Sequence, residues 1–349
     1  MSERHDSPQQ KCEGISLSEP CIELLFETLD LTWVEEIVAR KYSQRKRRPR
    51  VPPIPQIRAH IFKALRQIKS FRKLERELGE NDGLWARMLG FKEPPKHHSF
   101  SDFRRRVGSE VFIEVFQEIR NHLLRIRPDL AEVIAIDSTC IQAYARSGRG
   151  SRKSSDPDAK WGIRINPRAN KTEHFFGFKL HTALSAKYGA PLNFTVTPGR
   201  CSDSPEFPKL LRNLSETKVS FDIAVADAGY DARTNYYAAI RCKAKPIIAF
   251  NRRRKPVGTT GRPLDRELPI RRHSKEWKRY YAMRSAVERQ FSELKEQLGM
   301  PFLTLRGLER VTIHLCISLI VLLAINLVAH MTGNPELLRS IEPWRYSNV

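Results

Sequence analysis

The sequence predicts an α/β protein in which a mixed sheet flanked by helices follows a small all-α region. Three observations carry this. Residues 56–130 repeat apolar side chains at helical spacing, short Val/Ile/Phe-rich runs take over from Ala131, and beyond Asp222 such runs alternate with helical stretches. At 349 residues the chain is long enough for two domains. The boundaries read as an arm and basic linker over 1–55, a helical domain over 56–130, the α/β domain over 131–332 with a basic insertion at 251–274, and a tail from 333 to 349.

The chain is strongly basic. Sixty-one Lys and Arg against 39 Asp and Glu give +22. Such a balance calls for a polyanionic partner, and nucleic acid fits better than an acidic membrane because the cations run through the whole chain. Cys12, Cys21, Cys140, Cys201, Cys242 and Cys316 form no CxxC pair and have no histidine at zinc-like spacing. They read as reduced thiols of a cytoplasmic protein, without disulfides or structural zinc. The polar N-terminus, MSERHDSPQQKCEG, lacks a signal-peptide core. Leu315–Ala329 is apolar but short of a bilayer span and holds Ser318 and Asn326, so it reads as a buried core helix and no membrane partner is expected.

Taken in order, Ile22–Val38 is a short amphipathic pattern, and the basic run Lys41–Arg50 is either a solvated arm or one that follows DNA phosphates. VPPIPQ then leads into a helix with Ile57, Ile61, Ala64, Leu65 and Ile68 on one face. Ser70 is placed to cap FRKLEREL, and Gly79–Gly83 turns into LWARMLGF. A helix capped at Ser99 or Ser101 carries Arg104 and Arg105, and another runs from Glu110 to about Arg127. Short helices with tight turns and exposed arginines read as a helix-turn-helix-like arrangement, although any small helical bundle shares that look. Val133–Ile136 is a strand leading into Asp137, and the Gly/Ser/Arg-rich SGRGSRKSSDPD behind it reads as a mobile segment. Phe175–Ala186 and Leu192–Thr197 form a hairpin turning at Tyr188-Gly189. Asp222–Ala226 is a buried strand ending at Asp227, followed by a helix over 232–242, a strand over Pro246–Phe250 and the basic insertion.

Tyr280–Met300 then reads as one helix. At about 100° per residue, Tyr281, Arg284, Glu288 and Lys295 share one stripe, either a solvated face or a phosphate-handling one. With Asp137 and Asp227 at strand ends and Glu288 on a helix able to lie across them, three carboxylates converge on one edge. Alone, each has an ordinary reading as a turn former or cap. Together they suit hard divalent cations and in-line displacement at phosphorus.

These residues resemble the DDE transposases of prokaryotic insertion sequences, in particular the group whose last catalytic helix carries Tyr-x2-Arg-x3-Glu-x6-Lys. Tyr281, Arg284, Glu288 and Lys295 match it without a gap. Ile136-Asp-Ser-Thr139 is similar to the family's first acidic motif and Asp227-Ala-Gly-Tyr230 to its second, and Phe178–His181 and Thr197–Gly199 resemble segments common between them. The resemblance spans about residues 55–330. It implies an RNase H-like catalytic domain that cleaves and joins DNA at terminal inverted repeats. Asp137, Asp227 and Glu288 would be its catalytic metal ligands for Mg²⁺, with Mn²⁺ as an alternative. Tyr281, Arg284 and Lys295 would contact the DNA end, and a homodimer would hold two ends together. Ser202 departs from the His often found before Asp203-Ser204. An RNase H-like nuclease or resolvase without strand transfer is the rival reading, and an inactive DNA-binding descendant is the other.

Further candidates are Lys179, a phosphate contact if its strand face is the catalytic one, and His181 beside it, which reads better as a buried, hydrogen-bonded histidine. Trp161 and Trp277 are either core residues or stacking platforms for an unpaired base. Arg252–Lys255 is either a phosphate clamp or a solvated loop.

Overall fold

The computed structural model describes residues 22–42, 52–148, 153–166, 171–251, 268–300 and 303–346. Most of the basic run, Arg252–Lys255 and residues 149–152 of SGRGSRKSSDPD lie outside the described residues.

Helical structure begins at α1 (Ile22–Thr28) and α2 (Val34–Tyr42), well before the expected boundary at 55. Ile22, Leu25, Phe26, Val34 and Val38 are buried, because the chain supplies partners for them farther on. α3 (Pro53–Leu65) opens on proline, whose missing N–H costs nothing in a first turn. The Ser70 hydroxyl accepts from the Lys73 N–H at 3.1 Å and starts α4 (Phe71–Gly79), as its sequence suggests. After α5 (Leu84–Met88), the two expected helices stack end to end as α6 (His97–Ile126), broken where Gly108 takes φ +69°, a left-handed conformation that glycine adopts without strain.

The sheet contains β1 (Val133–Gln142), β2 (Lys160–Asn166), β3 (Lys171–Ser185) and β4 (Pro191–Pro198). Then come α7 (Glu206–Glu216), β5 (Ile223–Ala226), α8 (Arg233–Arg241) and β6 (Lys245–Ile248). β3 is antiparallel to β1, β2 and β4, whereas β1, β5 and β6 run parallel, so the sheet is mixed as expected. The β3–β4 hairpin turns at Tyr188-Gly189, as its sequence indicates. β2 went unpredicted: KWGIRIN leaves Trp161 and Ile163 more than half exposed, so no buried apolar run marks it.

Gly177 carries the crossing of β3 with β1. A Cβ there would stand 2.0 Å from the Ile141 carbonyl oxygen. Gly177→Ala is therefore expected to destabilise the protein by about 3 kcal/mol or more, whereas Gly79→Ala, with nothing within 4 Å, stays within about 0.5 kcal/mol; denaturant midpoints check both.

α9 (Lys275–Ala282) and α10 (Ser285–Ser292) cover the sheet, and α11 (Leu308–Met331) closes the chain's core. α11 is long and apolar enough to cross a membrane, with a mean hydropathy of 2.5 over its best window, but 89% of that window is buried inside the protein. It packs on α6, α3 and β4 and so ties the helical region to the sheet, which is the core role its sequence suggests.

Candidate active site

β1 and β5 lie side by side with Ile136 opposite Ala226. The next residue of each strand is a carboxylate, Asp137 and Asp227, so parallel pairing alone makes them neighbours. Asp137 accepts the Ser138 N–H at 2.8 Å. Asp227 accepts the Gly229 N–H at 2.8 Å and caps the turn at Ala228–Tyr230, so its turn-forming role and its place in the site coexist. Asp231 anchors the end of that turn by accepting the Asn251 N–H and the Tyr236 hydroxyl. Arg272 donates to the same hydroxyl and to the Ile248 carbonyl.

Burial first, and then the charge of Asp227, push the Asp137 carboxyl up to about 7; the Ser138 N–H and Arg284 pull it the other way. Burial likewise raises Asp227. Two neighbouring, desolvated carboxylates carry more negative charge than the protein balances. That donor set fits a hard divalent cation.

Tyr280–Met300 is not the single α-helix its composition predicts. α9 ends at Ala282, a tight turn at Met283-Arg284 re-aims the chain into α10, and Glu293–Gln297 widens into a π-helical turn. The turn places Arg284 between carboxylates. Its Nη2 lies 2.8 Å from Glu288 Oε1 and its Nη1 3.9 Å from Asp137 Oδ2. Glu288 thus takes as its ion-pair partner the arginine four residues before it. Among the described residues no three His, Cys, Asp or Glu side chains gather as metal ligands. Asp137 and Asp227 come together, and Glu288, its side chain 60% exposed, reaches them only through Arg284.

Tyr281 stacks on Trp277 with ring centroids 4.7 Å apart and 16° between planes. Trp277 is 5% exposed and covered by Tyr281, which fits its core reading rather than a stacking platform. Trp161 stays exposed on β2. Lys295 is half-buried with Arg164 and the Cys140 thiol nearby, and burial lowers its pKa.

Lys179 requires a correction. β1 pairs Asp137 with Thr182 and Ser138 with His181, so strand alternation sets Lys179 and His181 on the face away from Asp137. Lys179 is 6% exposed and donates to Asp203 at 2.9 Å. His181 is fully buried beside Thr197, 2.9 Å from its hydroxyl, and burial lowers it to about 4, consistent with the buried reading. Asp203 is the residue that sequence reasoning undervalued. Its charge acts on Asp137, Asp227 and the buried Tyr230. The departure at Ser202 had obscured it.

In the helical region Arg105 is exposed and pairs with Asp102 at 2.6 Å. Arg104 is not the surface arginine its neighbours suggest: it turns inward over the Phe71 ring, 4.8 Å from the centroid. The described cysteines, Cys140, Cys201, Cys242 and Cys316, are free thiols.

Comparison with known proteins follows the same division. Residues 14–106 match a family described as a transposase domain, and residues 128–326 match one described as the transposase DDE domain. No curated protein matches. Among solved structures, the cryo-EM structure of the piggyBac transposase synaptic complex with hairpin DNA aligns at 14% identity and a TM-score of 0.41, over 92% of this chain and 78% of that one. The DDE match covers more than half of the 349 residues and contains both aspartates and the Arg284–Glu288 pair, and the chain therefore belongs to the DDE-domain transposase family.

Proposed function

We propose that Asp137 and Asp227 hold the divalent metal that DDE transposases use, that Mg²⁺ is this metal with Mn²⁺ as a substitute, and that Glu288 completes the set. The observation that carries this is the pair of neighbouring carboxylates whose burial raises both pKa values. A divalent ion bound there supplies Lewis-acid stabilisation of charge at the scissile phosphate.

The chain's own groups do the rest. Arg284 now bridges Glu288 and Asp137, and a DNA phosphate entering beside it competes for the guanidinium and frees Glu288 to turn toward the aspartates. Tyr281, held flat by Trp277, and Lys295 extend the contact surface along the DNA end. Attack of water on phosphorus breaks the P–O3′ bond and leaves a 3′-hydroxyl, which then attacks a phosphodiester of target DNA in the same centre. The substrate is double-stranded DNA bearing terminal inverted repeats, and a homodimer of this cytoplasmic, nucleoid-associated protein brings two ends together. The helices before residue 131, with Arg105 exposed on them, serve DNA binding, and +22 accounts for non-specific affinity.

The test is Mg²⁺-dependent processing of labelled DNA carrying the element's own ends. Cleaved and joined products from the wild type, both lost in Glu288→Gln, are expected. Cleavage without joining would assign a nuclease instead, and a fully active Glu288→Gln enzyme would remove Glu288 from the centre.

A further inference from the structure

The helical region meets α11 around a cavity of about 400 Å³ that the carboxylate site does not use. Lys63 of α3, Arg104 of α6 and His314 of α11 line it, together with Ser70 and Phe71 at the start of α4. Lys63 and Arg104 share one aromatic ring: the ammonium lies 5.6 Å and the guanidinium 4.8 Å from the Phe71 centroid. Phe100 stacks on Phe71 at 5.4 Å, which holds the ring in place.

What is missing is an acid. Among the described residues neither cation meets a carboxylate, whereas Arg66 one turn away pairs with Glu77 at 3.0 Å and Arg127 with Asp129 at 3.1 Å. Arg104 Nε and His314 Nε2 are closed off from solvent with no hydrogen-bond partner there. Burial pushes Lys63 down to about 8 and Arg104 down to about 9, and the charge of Arg104 lowers Lys63 further. Two like charges drawn out of water without a counter-ion are retained at a cost that an incoming anion relieves. The N-terminus of α4, capped by Ser70, adds positive potential to the same wall.

We infer that this cavity binds the phosphate of a nucleotide. Arginine's fork, lysine's point charge and a helix N-terminus together match the several oxygens of a phosphate better than the two of a carboxylate. The volume exceeds what an inorganic ion fills and is far below what a duplex needs, and Ile68, Leu298 and Leu305 in its wall give a sugar and base an apolar seat. A free nucleotide and the phosphorylated end of a DNA strand offer the same chemistry.

Binding is measured at constant ionic strength with inorganic phosphate and dAMP by thermal shift, and by anisotropy with one single-stranded oligonucleotide with and without a 5′-phosphate. Phosphate-bearing ligands are expected to bind, and Arg104→Gln and Lys63→Gln to weaken them at least about tenfold, with Arg241→Gln, an exposed control, within about twofold. Preference for the phosphorylated strand over dAMP identifies a DNA end, and the reverse a free nucleotide; either supports the site. The proposal fails if no phosphate ligand binds, or if Arg104→Gln and Lys63→Gln matter no more than Arg241→Gln. Circular dichroism shows which of the two variants is folded, and either one suffices. Because the readout is binding, the outcome is independent of whether Asp137, Asp227 and Glu288 cleave DNA.

Discussion

Asp227→Asn is expected to lower DNA strand cleavage by at least about 10³-fold while leaving DNA affinity within about twofold at fixed salt. The reason is local. The amide oxygen of asparagine still accepts the Gly229 N–H and so preserves the turn at Ala228–Tyr230, and the Asp231 anchor to Asn251 and Tyr236 is untouched. What disappears is one of two charges on the strand ends. Labelled-end cleavage and a gel-shift titration on the same preparation separate the two effects. Loss of binding together with cleavage would mean that the loop had collapsed, and undiminished cleavage would place the chemistry elsewhere.

Asp137→Asn is expected to make the metal-free protein more stable above pH 7, by about 2–4 kcal/mol, while abolishing cleavage. The folded protein holds the Asp137 proton up to about 7, against an ordinary value of 3.8. The protonated carboxyl's contribution to stability is therefore complete below about pH 4 and lost as pH rises through 7. Asparagine mimics the protonated form at every pH. The gap between variant and wild type is widest above pH 7 and closes as pH falls toward 4. The comparison must be between the two proteins, because buried His60, His181 and His314, all held below the usual imidazole value by burial, destabilise both as pH falls below about 6.5. Saturating Mg²⁺ is expected to shrink the gap, since a cation offsets the charge that the proton otherwise removes. Chemical denaturation from pH 5 to 8.5, with and without Mg²⁺, checks both statements.

The elements that positioned the site were readable wherever a local pattern sufficed. The strand before Asp137, the strand before Asp227 and the hairpin at Tyr188-Gly189 each followed from apolar runs and turn residues, and the Ser70 cap from a single side chain. β2 was not readable, because an exposed strand carries no burial signature. The helices at Ile22–Thr28 and Val34–Tyr42 were assigned to an arm because the surfaces that bury them lie on α3, α6, α11 and the turn at Glu342–Arg345, most of them far along the chain.

Charges were the least legible. By its neighbours Arg104 looked like a surface arginine, and by alternation Lys179 looked like a phosphate contact; one lines a cavity over Phe71 and the other is sealed against Asp203. The sequence by itself determined the fold class, the order of the acidic motifs and the spacing of Tyr281, Arg284, Glu288 and Lys295, because alternation, apolar runs and motif spacing are properties of neighbours along the chain. Only the tertiary structure decided that Asp137 and Asp227 lie side by side at the ends of parallel strands, that Arg284 pairs with Glu288 beside Asp137, and that two cations share one ring without an acid. Those outcomes depend on desolvation and on pairing between residues far apart in sequence, which spacing does not encode.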